Sequence, residues 1–365
     1  VGYIKTKSLK NQKKEKTSRD FTEPVYSDMT EDHSINMAWH NVTNAAANNA
    51  VQQVLASTSG LTTIAPTWFS LADTEGNISS IADADYVNYA HTAGLEVWAV
   101  FRDFHGGTNS YDETYETLRY TSKRAKLEDQ VVAAAVAAGV DGINLDFELI
   151  SSKCGVHYVQ LVRELSVKCH QNNLVFSVDN YVPQSYNSHY DLKEQGIVAD
   201  YVVIMAYDEH TEGSYEAGSV ASISYLQDGI EKTLKKVSAD KVIAGIPFFT
   251  RLWFETAKSP EQLSEEAGTE AASYPNKVSS KALGMEEAAQ SVVNAGATAQ
   301  WDEKTQQNYA KWSADGGTYR IWLEDAQSLE AKLKVIQENK LAGVAEWSLG
   351  KEESSVWKLI SQYVN

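Results

Sequence analysis

The sequence predicts an α/β fold: a (β/α)8 TIM barrel with a small α+β insertion domain between strand 7 and the last helix. Three observations carry this expectation. There are eight short apolar runs of strand length, helix-period segments between most of them, and one interval too long to be a plain loop.

The eight runs are residues 35–39, 61–66, 95–101, 142–147, 174–178, 201–206, 242–247 and 343–347. Helical periodicity fills 85–93, 127–138, 158–170, 225–237 and 329–338. Such repeated alternation suits a closed parallel barrel better than an open doubly wound sheet. No Gly-x-Gly-x-x-Gly follows the first run, which removes the dinucleotide-binding form of the open sheet. The long interval is 248–327. It holds strand-like pieces at 297–301, 307–312 and 318–323 and a helical piece at 285–294, whereas structureless loops beyond about 15 residues are uncommon in a compact domain. The expected organisation is a barrel over 34–247 and 328–365, an insertion domain over 248–327 walling the barrel mouth, and a tail or linker over 1–33.

Composition narrows the function. The chain has 365 residues, 43% apolar and 22% charged, ordinary values for a protein that buries a core. A net charge of −17 argues against a nucleic-acid partner, because phosphate recognition needs clustered Lys and Arg. The basic stretch at 5–16 falls in the N-terminal tail and reads as part of a linker. No apolar run reaches the roughly 18 residues of a membrane-spanning helix. Val1 opens the chain without an initiating Met or a signal peptide, so the sequence reads as a fragment of a longer precursor. Cys154 and Cys169 sit on one helical stretch, roughly 20 Å apart at 1.5 Å per residue. That exceeds the roughly 7 Å reach of a disulfide, so two free thiols are expected. The His residues show no ligand spacing and no nucleotide or flavin motif occurs, so neither metal nor cofactor is expected. The 19 Tyr and nine Trp fill a core, and they also supply the flat faces that a sugar cleft uses.

The most informative segment is Asp141-Gly-Ile-Asn-Leu-Asp-Phe-Glu148. Side chains alternate along a strand, so Asn144, Asp146 and Glu148 share one face and Ile143, Leu145 and Phe147 the other. The apolar set suits the helix-facing side of a barrel, which sends the polar set inward. Glu148 then lies at the C-terminal end of its strand, where barrel active sites are built. If ionised, Asp146 disfavours charge on Glu148 and keeps a proton available there. On pattern alone a metal site and a structural strand-end cap remain beside catalysis; alternation with bulky apolar residues speaks against a calcium loop.

Residues 141–148 resemble the Asp-x-x-Asp-x-Asp-x-Glu signature of glycoside hydrolase family 18. Met205-Ala-Tyr-Asp208 resembles that family's sixth-strand element, Gly245-Ile-Pro-Phe-Phe-Thr-Arg251 its seventh-strand segment, and Ala345-Glu-Trp347 its eighth-strand end. The matches run in order from about residue 35 to the C-terminus and are most similar to the bacterial branch acting on peptidoglycan and spore cortex. Two positions depart from the pattern: Asn144 replaces the second Asp, and Phe249 replaces the usual Tyr. Asn144 is expected to hydrogen-bond Asp146.

The resemblance implies a retaining β-glycosidase that uses the substrate's own 2-acetamido group as nucleophile. Glu148 is then the proton donor, Asp146 stabilises the cationic oxazolinium, and Tyr207 holds the acetamide oxygen. Asn144, Met205, Asp208, Trp347, Trp39 and Arg251 are the expected substrate-binding residues, with Trp68 a secondary platform. Met205 equally suits a core filler, and Arg251 could instead pair with Glu324. The implied partner is a GlcNAc-containing polysaccharide, bound by a monomer that is secreted or associated with the cell wall or spore. Peptidoglycan cleavage by an N-acetylglucosaminidase is the leading reading. A chitinase or chitooligosaccharide hydrolase and a catalytically inactive carbohydrate-binding wall protein are its rivals.

Overall fold

Eight parallel strands close into a ring in a computed structural model that describes residues 27–364. They are Ile35–His40, Thr63–Pro66, Glu96–Arg102, Gly142–Asp146, Val175–Tyr181, Tyr201–Met205, Val242–Pro247 and Gly343–Trp347. The first strand pairs with both the second and the eighth, and the second pairs with the third at Thr63↔Glu96, so no barrel edge is left open. Period-two alternation sorts the side chains. Met37, Trp98, Val100, Val203, Ile243 and Ala345 fill the barrel interior, while Ala38, Ile143, Leu145, Val178, Ile204 and Val344 pack outward against helices.

Helix starts are written in the sequence. Asp83, Ser110, Ser222 and Asp325 accept backbone N–H bonds at the N-termini of Ala84–Thr92, Tyr111–Leu118, Ile223–Leu234 and Ala326–Glu338. Gly139, at φ 77°, ends Thr121–Ala138 in the left-handed conformation that a glycine adopts without strain. Gly343 is needed for a different reason: a Cβ there would lie 2.0 Å from the carbonyl oxygen of Ile35. Cys154 and Cys169 are buried and unpaired.

The floor of the barrel corrects one expectation. The Met29 and Glu31 N–H groups donate to Asp200 and to the Tyr201 hydroxyl, both at 2.7 Å, and Asp28 pairs with Lys241 at 2.6 Å. Residues 28–31 therefore belong to the barrel floor rather than to a free tail. The basic stretch at 5–16 lies outside the described residues.

Between the seventh and eighth barrel strands stands an antiparallel sheet in the order Asn276–Gly284, Phe249–Ala257, Gly317–Leu323, Gln307–Ala314, Gln300–Asp302. Helix Met285–Asn294 covers it through a core of Leu283, Ala288, Val292, Ala310, Ile321 and Leu323. The strand-like piece expected at 297–301 forms at 300–302 instead. The two longest strands of this sheet were not anticipated. Asn276–Gly284 is rich in Lys and Ser, so a search for apolar runs passes over it; a nine-residue antiparallel ladder with Phe249–Ala257 holds it in place. A short hairpin, Phe69–Leu71 with Ile78–Ser80, also extends the barrel sheet beyond the expected strands.

Candidate active site

The C-terminal ends of the barrel strands surround a cavity of about 180 Å³, lined by Trp39, Arg102, Asp146, Glu148, Asp179, Tyr181, Met205, Tyr207, Asp208 and Trp347 among others. Asp146 closes the fourth strand and Glu148 follows two residues later. Past the strand end the backbone is held by Asp103, whose carboxylate accepts the N–H groups of Glu148 at 2.8 Å and Leu149 at 3.0 Å. Asp103 is itself buried and accepts the Thr114 hydroxyl at 3.1 Å. This clamp fixes where the Glu148 side chain starts. The Tyr181 hydroxyl donates to its Oε2 and fixes where it ends.

Asn144 differs from the expectation that it would contact Asp146 or substrate. It is fully buried beneath the cavity, and both ends of its amide are committed. Its oxygen accepts the Trp39 indole N–H at 3.1 Å, and its nitrogen donates to Ser177 at 2.9 Å and to Asp179 at 2.7 Å. Asp179 therefore brings a carboxyl from the fifth strand to the site where the fourth strand carries an amide. Asp146 keeps one buried oxygen, Oδ1, with no hydrogen-bond partner.

Four carboxyls thus crowd one small region, and burial dominates their titration. It raises Asp146 well above the usual carboxylate range, with the charges of Glu148, Asp179 and Asp103 adding to the rise and Arg102 opposing it. Burial also raises Glu148, against the hydrogen bond from Tyr181. Asp179 is pushed to about 8 and Asp103 to about 7, in both cases chiefly by burial. The Tyr207 hydroxyl is held protonated by burial and by the surrounding carboxyls. These are raised acids, so the folded state keeps protons that the unfolded chain has lost. For Asp103 and Asp179 that contribution to stability is fully present below the unfolded pKa near 4 and is lost as pH rises through 7 to 8. Thermal melting should accordingly fall by several degrees between pH 5 and pH 8.5, and Asp179→Asn should flatten that slope. An unchanged slope in the variant would remove Asp179 from the proton-holding set.

Aromatic side chains shape the rest. Trp39 meets Trp347 edge-on at 5.9 Å and Tyr207 at 6.3 Å, so the first, sixth and eighth strand ends share one apolar wall. Met205 also lines the cavity rather than only the core. Glu148 borders a second, shallower groove lined by Tyr111, Tyr181, Tyr186 and Tyr190, with Tyr186 77% exposed. The general-acid candidate thus stands on the ridge between cavity and groove. Trp68, expected as a platform, instead packs in the outer core with its indole N–H on Asn48 at 2.8 Å. Glu324 is taken by Lys332 at 2.9 Å, so it is not the partner of Arg251. Arg251 lies on the first insertion strand, outside the cavity lining, and donates to Ser280 at 2.9 Å. Among the described residues no group of three or more His, Cys, Asp and Glu side chains is placed to hold a metal ion.

Among the residues of the site that were not expected are Arg102, Asp103, Asp179 and Tyr181. The fifth strand runs to Tyr181 and the third to Arg102, whereas a reading based on apolar runs ends them at 178 and 101. Asp and Asn are poor strand formers, so Asp179-Asn180 reads as a turn. The available signal was alternation: continued from Val175 through Ser177, it delivers Asp179 and Tyr181 to the interior face.

Comparison with known proteins fits this geometry. The model of glycosyl hydrolases family 18 matches residues 39–352. The chain is 26% identical over 295 residues to the glycosylase YvbX of Bacillus subtilis, covering 78% of this chain and 80% of that protein. It is 27% identical over 256 residues to the cortical fragment-lytic enzyme of Bacillus subtilis, covering 67% of this chain but only 54% of the relative's length. Among solved structures, the C-terminal domain of a putative chitinase from Desulfitobacterium hafniense superposes with a TM-score of 0.77 at 19% identity, covering 92% of this chain and all of that one, a likeness of fold.

Proposed function

The chain belongs to glycosyl hydrolases family 18 and is a glycosidase, and from that premise we propose that it cleaves GlcNAc-containing glycan, chiefly peptidoglycan, by substrate-assisted hydrolysis with net retention. The acetamido carbonyl oxygen of the sugar in the cavity attacks its own anomeric carbon. Glu148 gives its proton to the departing glycosidic oxygen and then takes one from the incoming water. Asp146, protonated at rest, gives up that proton within the acid cluster as the oxazolinium forms and, now a carboxylate, accepts the acetamide N–H and offsets the positive charge, while the Tyr207 hydroxyl holds the acetamide oxygen in line. The leaving glycan lies in the tyrosine groove on the far side of Glu148.

The observation that carries this reading is that Asp146, Glu148 and Tyr207 border one cavity. An acetamido sugar held there meets a carboxyl, a general acid and a hydroxyl together. Asn144 acts beneath the site, orienting the acid cluster rather than touching sugar, whereas Asp179 reaches the cavity lining. Asp179 provides the second carboxyl of the cluster from the neighbouring strand, which offsets the Asp-to-Asn change at 144.

Peptidoglycan is favoured over chitin by the kinship to a cortical fragment-lytic enzyme. The protein would act outside the cell, at the wall or spore, as a monomer. An inactive wall-binding role is disfavoured because Glu148, Asp146 and Tyr207 all border one cavity. Digestion of purified peptidoglycan and of chitin, with mass spectrometry of the new reducing ends, tests the proposal. GlcNAc ends released faster from peptidoglycan are expected. Faster release from chitin would reverse the substrate order, and release from neither would favour the inactive binding protein.

A further inference from the structure

Two cations stand at the rim where the insertion sheet meets the barrel mouth. Lys351, four residues beyond Trp347, lays its ammonium 5.1 Å from the centre of the Phe249 ring, and Phe249 packs edge-on against Tyr207 at 6.3 Å. Its backbone is fixed to the insertion by the Met285 N–H, which donates to the Lys351 carbonyl at 2.8 Å. Arg251 lies two residues beyond Phe249 on the same strand. One guanidinium nitrogen reaches Ser280, while Nε is buried with no partner.

Neither side chain forms an ion pair among the described residues. The nearby Glu352 turns away, accepting the Gly350 N–H at 2.7 Å and the Ser57 hydroxyl at 3.4 Å. Asp208, on the cavity wall, faces both electrostatically. Burial lowers the Lys351 pKa, the Arg251 charge lowers it further, and Asp208 opposes. Two half-buried positive charges against one negative leave a local excess on a chain whose net charge is −17. Like charges held together in a partly dry site are relieved by an added anion.

The strand order locates this excess. The tyrosine groove lies beside the fourth and fifth strand ends, and the cation pair follows the seventh and eighth, across the mouth. We propose that Arg251 and Lys351 form a subsite for a carboxylate carried by the glycan on the side of the cavity opposite the leaving group. The inference rests on the reading that the cavity holds a GlcNAc unit, and it names the substrate class as an acidic glycan. The carboxylate comes either from the lactyl ether of a muramic acid unit or from a stem peptide; neutral chitin has neither.

The test compares four ligands: chitotetraose, a peptide-free peptidoglycan tetrasaccharide, the same tetrasaccharide with its carboxyls reduced to alcohols, and a peptide-bearing form. Both kcat/KM on the wild-type chain and the Kd of E148Q are measured, so that binding reports even where cleavage does not. Wild type should prefer an acidic form over the reduced one by about tenfold at low salt, mostly in KM, with the preference shrinking as salt is raised. R251Q and K351Q should each bring that ratio towards one. A preference shown only by the peptide-bearing form assigns the site to the stem carboxylates; one shown by the peptide-free form assigns it to the lactyl group. Equal rates and affinities for acidic and reduced forms in wild type, or an undiminished preference in both variants, overturn the proposal. Cleavage of none of the four, with the binding preference intact, would instead count against the hydrolytic reading.

Discussion

Glu148→Gln should lower kcat by at least 10²–10⁴-fold while leaving the fold and oligosaccharide affinity nearly intact. The substitution keeps the shape and the acceptor oxygen that Tyr181 reaches, and it removes only the transferable proton. The Asp103 clamp holds backbone N–H groups rather than the side chain, so the chain trace through 148 does not depend on the carboxyl. Circular dichroism and melting should match wild type, with the loss confined to turnover. A variant retaining more than a tenth of wild-type kcat would remove Glu148 as proton donor.

Asp146→Asn should cost about 10²–10³-fold, again in kcat rather than KM, because the carboxylate matters most once the oxazolinium charge has formed. In the resting site Asp146 is surrounded by Glu148, Asp179 and Asp103, with Arg102 as the opposing positive charge. An amide keeps the volume and cannot balance a cation. The same variant should bind a thiazoline analogue of the cyclised GlcNAc much more weakly than wild type does. Changing Asn144 should act more mildly, because its side chain touches Trp39, Ser177 and Asp179 but not the cavity. An Asp146→Asn variant of near-normal rate would leave the oxazolinium without its stabilising group.

The barrel and its acid strand were legible because both are written in short-range alternation. Ile143, Leu145 and Phe147 face the helices and Asn144, Asp146 and Glu148 face inward, as period two requires. The residues that complete the site were hidden where that alternation passes through poor strand formers. Asp179 and Tyr181 continue the fifth strand across an Asp-Asn pair, and only the pairing of Asp179 with Val203 and Tyr181 with Met205 holds them in the sheet. Asp103 could not be read at all, since its role is a contact between loops 45 residues apart. Trp68 shows the converse error. Its place after a strand end suggested a platform, but the hairpin that follows folds it into the outer core. The strand Asn276–Gly284 was invisible for the same reason as Asp179: nine ladder partners, not side-chain pattern, make it a strand.

The central claim is that the substrate supplies the nucleophile, and removing its acetamide tests that most directly. Two oligosaccharides identical except at the sugar entering the cavity, one with GlcNAc and one with unacetylated glucosamine, should be compared at saturating concentration. Without the acetamide there is no intramolecular attack, and the contacts to Asp146 and Tyr207 are lost together. Effective molarities of 10⁵ M and above for such attack make a fall in kcat of at least about 10³-fold the expected result. Comparable turnover of the two substrates, or mass-spectrometric capture of a sugar covalently bound to any carboxylate of the protein, would contradict the mechanism.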